Sequence, residues 1–134
     1  MQPTTTYRTV TDYITDARVL LQDTIEPFRY DDDSLLMALN ASLLEVRRIR
    51  PDLLVYVYGD MVPTFNLVDS TPVCIEQQFR QGIVYGICAH AHARDQEDYQ
   101  DARVTAFMGW FQATLVGTAM PSMAGGSAPA PGGR

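Results

Sequence analysis

The densest run of potential ligands or nucleophiles in this chain is Cys88-Ala89-His90-Ala91-His92. On a helix, Cys88 and His92 share a face four residues apart, while His90 points elsewhere. A closed tetrahedral zinc site needs four ligands. No second clustered pair supplies the rest, and Cys74 stands several helical turns earlier. Read as a Cys–His nucleophile, the pair lacks an orienting third group, and a straight mid-helix offers no donors to a developing oxyanion. The acids Asp31, Asp32, Asp33, Glu97 and Asp98 sit at the starts of expected helices, where carboxylates are caps first. Gly125-Gly126 and Gly132-Gly133 precede no helix, so they do not form a phosphate-binding loop. The expectation is a chain with no enzymatic activity, no metal and no cofactor, whose two histidines are ordinary helical residues.

Four helices are expected to carry these residues. Val10, Tyr13, Ile14, Ala17, Leu20 and Leu21 make one apolar stripe, with Thr9 and Asp12 as a capping box and Glu26-Pro27 as a stop. In the second helix, Asp31 is the N-cap, and Asp32 and Asp33 fill the first turn. Leu35, Leu36, Leu39, Leu43, Val46 and Ile49 are its buried stripe. Arg47, Arg48 and Arg50 close it before Pro51. Acid at one end and base at the other match the helix dipole. They would equally let Asp31–Asp33 of one subunit meet Arg47–Arg50 of the next.

The helical period breaks at Leu53. The run Leu53 to Tyr58 is apolar, β-branched and aromatic, Gly59-Asp60 is a turn signal, and Met61-Val62 with Phe65 to Val68 could return as a strand. Either a short β-hairpin or an extended loop is expected here. A two-stranded hairpin is marginal alone, so Tyr56, Tyr58 and Phe65 are candidates for contact with a neighbouring subunit.

A third helix is expected from a Ser70 or Thr71 cap and Pro72, with Ile75, Phe79, Ile83, Ile87 and Ala91 on one face. Gly82 and Gly86, four apart, imply a closely crossing backbone, because glycine within a helix otherwise costs about 1 kcal/mol. The fourth helix is expected from about Asp98 to Val116, with Tyr99, Ala102, Ala106, Trp110 and Ala113 as its stripe. Phe107, Phe111 and Leu115 lie beside it, and Gly117 ends it. The division is thus a helical domain, 1–117, and an extended Gly/Pro-rich tail, 118–134. In that tail Met120, Pro121 and Met123 are what a partner groove could grip.

The net charge is −6 and the isoelectric point about 4.6. Binding to a nucleic-acid backbone would call for a basic surface, whereas an acidic one suits a conduit that DNA slides through. All ten basic side chains are arginine, reflecting base composition or the planar pairing that favours Arg at interfaces. Two cysteines make no disulfide framework, which suggests a reducing compartment. The start, MQPTTTYR, lacks the pattern of a signal peptide, and no apolar stretch approaches a membrane span.

One set of residues is more specific. It consists of Phe28-Arg29-Tyr30-Asp31-Asp32, Leu35-Leu36, Leu39-Asn40 and Glu45-Val46-Arg47-Arg48-Ile49-Arg50-Pro51-Asp52-Leu53. Arg94-Asp95-x-Glu97-Asp98 follows, then Ala102, Ala106, Phe111 and Leu115. Over roughly residues 9 to 117 this resembles the head-to-tail connector (adaptor) proteins of tailed phages. The resemblance implies a mainly α, four-helix bundle-like fold and a homo-oligomeric ring, a dodecamer, docked under the portal protein. It implies a virion protein of the neck, assembled in the host cytoplasm, that helps retain packaged DNA and presents a surface to the tail nozzle or tail-completion proteins. DNA would pass through the lumen without specific binding. Arg94 and Asp95 join the candidate interface residues on this ground, and the tail would reach the portal. The alternative reading is a small helical regulatory protein that binds nucleic acid through Arg47–Arg50.

Overall fold

The computed structural model describes residues 7–94 and 101–117, without the side chains of Tyr56 and Asp101. Five α-helices follow in order: α1 (Val10–Leu21), α2 (Asp32–Ile49), α3 (Asp52–Tyr58), α4 (Arg80–Arg94) and α5 (Asp101–Val116). A 3-10 turn, Gln77–Phe79, leads into α4. The mainly helical class is as expected, and no helix among the described residues is long and apolar enough to cross a membrane.

The helix boundaries follow local chemistry. The Thr9 hydroxyl accepts from the Asp12 N–H at 3.1 Å, and the Asp12 carboxylate accepts from the Thr9 N–H at 3.0 Å, closing the capping box of α1. The Asp31 carboxylate accepts from the Ser34 N–H at 2.7 Å and starts α2. Arg50 ends that helix, and Pro51 opens α3. Gly117, at φ 76°, occupies the left-handed region that terminates α5.

α4 is the central helix and packs against α1, α2 and α5. Its position explains its composition. Gly82, Ile83, Val84, Gly86, Ile87, Cys88, Ala89, Ala91 and His92 are all buried, so small residues are needed on several sides. A Cβ on Gly82 would stand 2.7 Å from Thr114 Cβ of α5. One on Gly86 would stand 2.8 Å from Ser42 Oγ of α2 and 3.1 Å from the Phe111 ring. The close crossing expected from these glycines therefore occurs inside the subunit.

Three expectations are corrected. Asp52–Tyr58 is a helix, and the described residues contain no strand, only an isolated antiparallel bridge between Thr9 and Pro72. A strand here would need a partner for its backbone groups, whereas a helix satisfies its own. The turn also buries Leu54 completely against the core. The third expected helix starts later, at the 3-10 turn. Residues 69–73 instead run beside the start of α1, with Val10 N–H donating to Thr71 O and Val73 N–H to Arg8 O, both at 2.9 Å. On α5 the buried residues are Phe107, Phe111, Leu115 and, of the expected stripe, Ala113, while Ala106 and Trp110 are half-buried and Ala102 is exposed. That helix is apolar on several sides, so its period does not choose a face. The tail 118–134 lies outside the described residues.

Candidate functional site

Among the described residues, those expected at subunit or portal contacts fall at the two ends of α2, on the connection that follows it and, for Arg94, at the end of α4. At the acidic end, Asp31 caps its helix, Asp33 is exposed, and Asp32 accepts from Arg18 Nη2 at 2.8 Å. Backbone N–H donation from Ser34 holds the Asp31 carboxyl below its ordinary range. Glu26, Phe28 and these three aspartates line one shallow depression.

Behind it lies a feature that stripe-based reading missed. Arg18 is 7% exposed within the apolar face of α1. It donates to buried Asp23 at 3.0 Å and to the Tyr30 carbonyl at 2.7 Å, and it stacks over the Phe28 ring at 3.9 Å. Asp23 also accepts from the N–H groups of Arg29 at 2.7 Å and Tyr30 at 2.9 Å. This pair thereby organises the whole α1–α2 connection. The available signal was an arginine at an otherwise buried helical position, with acids five and fourteen residues on.

At the basic end, each arginine engages its own subunit. Arg47 donates to the Gly59 carbonyl at 3.0 Å, and Arg48 pairs with Glu45 at 2.6 Å. Arg50 grips Asp52 through two bonds of 2.9 Å and donates to the Leu115 carbonyl at 2.6 Å. Reversing the charge at Arg50 therefore tests the fold before it tests any docking. Tyr58 is half-buried, and its hydroxyl accepts from the Cys74 N–H at 2.9 Å. The Phe65 N–H and carbonyl both pair with the Asn40 side chain, at 2.9 Å each. Arg94 is exposed beside Met37. The Tyr56 side chain, Asp95, Met120, Pro121 and Met123 lie outside the described residues.

The Cys-His run is dispersed by the fold. The Cys88 thiol points to the Ala17 carbonyl at 3.7 Å, and burial pushes its pKa up to about 12, which leaves no reactive thiolate near neutrality. His92 is buried, its Nδ1 3.3 Å from the Tyr30 hydroxyl and its ring stacked on Phe107. His90 is half-buried. Among the described residues no group of three or more His, Cys, Asp or Glu side chains could hold a metal ion.

Among the exposed large apolar side chains, several fall on one connection. Val55, Val57, Met61 and Leu67 are 41%, 50%, 76% and 70% exposed. All four belong to α3 and the loop after it. No family model, curated protein or solved structure matches this chain.

Proposed function

We propose that the chain is a structural virion protein of a tailed phage, a head-to-tail adaptor that forms a ring under the portal, helps retain packaged DNA and offers the tail its attachment surface. The observation that carries this reading is the exposed apolar run Val55, Val57, Met61 and Leu67. Single exposed apolar residues are ordinary on a monomer, but several within one short connection are the composition of a surface meant to be covered. The resemblance over residues 9 to 117 supplies the partners, copies of this chain and a portal ring. The net charge of −6 supports a lumen that DNA traverses without adhering.

The deciding experiment is light scattering on the full chain alone and mixed with purified portal rings. Co-elution of several copies per portal ring is the expected result. A monomer that ignores the portal at every concentration overturns the reading. A pair of charged substitutions, Val57→Glu with Met61→Glu, is expected to abolish co-elution while far-UV circular dichroism stays unchanged.

A further inference from the structure

The solvent side of α2 carries a second surface, separate from the α3 connection. Asp33, Met37, Ala41, Leu44 and Arg48 follow one another at steps of three or four residues, so they share a face. Met37 is 53% and Leu44 61% exposed, Asp33 and Arg48 are exposed, and Ala41 is half-buried. Dipole matching accounts for an acid at the start and a base at the end. It does not account for Met and Leu facing water between them.

The order on this face is symmetric. Asp33 and Arg48 lie equally far along the helix from the point between Asn40 and Ala41, and so do Met37 and Leu44. An apolar pair of similar size is thus flanked by opposite charges at matching distances, with a small residue at the centre. Such a face is complementary to itself when one copy is turned end for end.

We propose that α2 pairs with α2 of a second copy, antiparallel, about a two-fold axis passing beside Asn40 and Ala41. Met37 of each copy packs on Leu44 of the other, Asp33 meets Arg48, and Ala41 lets the helices approach at the axis. Arg94 of α4 also lies against Met37, at 3.5 Å, so it borders the same face. Arg48 is free to change partners, because its bond to Glu45 is an exposed pair of small worth. A two-fold contact is closed and cannot propagate a ring. The pair is therefore a state of the subunit off the ring, and it stands or falls apart from the adaptor reading.

Sedimentation velocity on the full chain, from micromolar to millimolar, is expected to show a monomer–dimer equilibrium. Leu44→Glu is expected to weaken it at least about tenfold with unchanged circular dichroism. Asp33→Arg and Arg48→Asp should each weaken it, and the double exchange should recover it, since the swapped charges meet again across the axis. Ala41→Cys should form an interchain disulfide on a non-reducing gel. Leu44→Cys, whose mate lies two turns away, should not. A chain monomeric over the whole range overturns the proposal. So does a dimer indifferent to Leu44→Glu, or a double exchange no tighter than its single members.

Discussion

The Arg50 guanidinium, at the end of α2, donates at 2.6 Å to the carbonyl of Leu115 in the last turn of α5, sixty-five residues later. The same group holds Asp52 at the start of α3. One side chain thus joins three helix ends and satisfies a carbonyl that a helix C-terminus leaves without a partner. Arg50→Ala is expected to lower the thermal midpoint by a few degrees and to speed amide exchange in the last turn of α5. Arg50→Lys should fall between, because an ammonium cannot reproduce the bidentate grip. Unchanged exchange at residues 113–117 would show that the contact carries nothing.

The Arg18–Asp23 pair is the buried polar centre of the α1–α2 connection. Removing one member strands the other without its charge partner, at a cost of roughly 3–5 kcal/mol. Arg18→Met should therefore shift the urea midpoint far more than Arg48→Met, whose pair is exposed. Equal shifts in the two variants would contradict the burial argument.

Gly82→Ala sets two effects against each other. Helix propensity gains about 1 kcal/mol. The new Cβ would meet Thr114 Cβ at 2.7 Å, and overpacking of this kind costs roughly 1–3 kcal/mol. The contact is with the root of a β-branched side chain, which cannot swing away, so a net loss of about 1 kcal/mol is expected. A higher melting temperature for Gly82→Ala would mean that α4 and α5 separate more easily than their packing implies.

His90 gives stability a dependence on pH. Burial, assisted by Arg94 and opposed by Glu45, holds its pKa below the ordinary 6.5. The unfolded chain takes up this proton first as pH falls. Stability conferred by the neutral ring is therefore complete above about 6.5 and lost as pH drops toward the folded value. The depressed carboxyls of Asp12, Asp31 and Asp69 act in a lower window, because their contribution is lost only below the ordinary 3.8. Urea midpoints at about pH 7.5 and 5.5 should differ in the native chain and differ less in His90→Gln. An identical difference in both would assign the effect elsewhere.

The sequence by itself determined the helical class and most of the punctuation. The Thr9–Asp12 box, the Asp31 cap, the Pro51 break and the Gly117 stop each depend on chemistry within a few residues, so they are legible without a fold. The stripes of α1 and α2 were legible for the same reason, since apolar and polar residues alternate clearly there. Tertiary structure decided what those signals leave open. Leu53 to Tyr58 has strand-like composition but forms α3, because no partner strand is present among the described residues and the core takes Leu54. The face of α5 was settled by what α4 offers it, not by period. Arg18 could be buried only because Asp23, Asp32 and the Tyr30 carbonyl converge on it, and convergence across a connection is a property of the folded chain. The candidate interface follows the same division. Its charges could be named from position in α2, but which of them are already engaged within the subunit depends on where distant carbonyls come to lie.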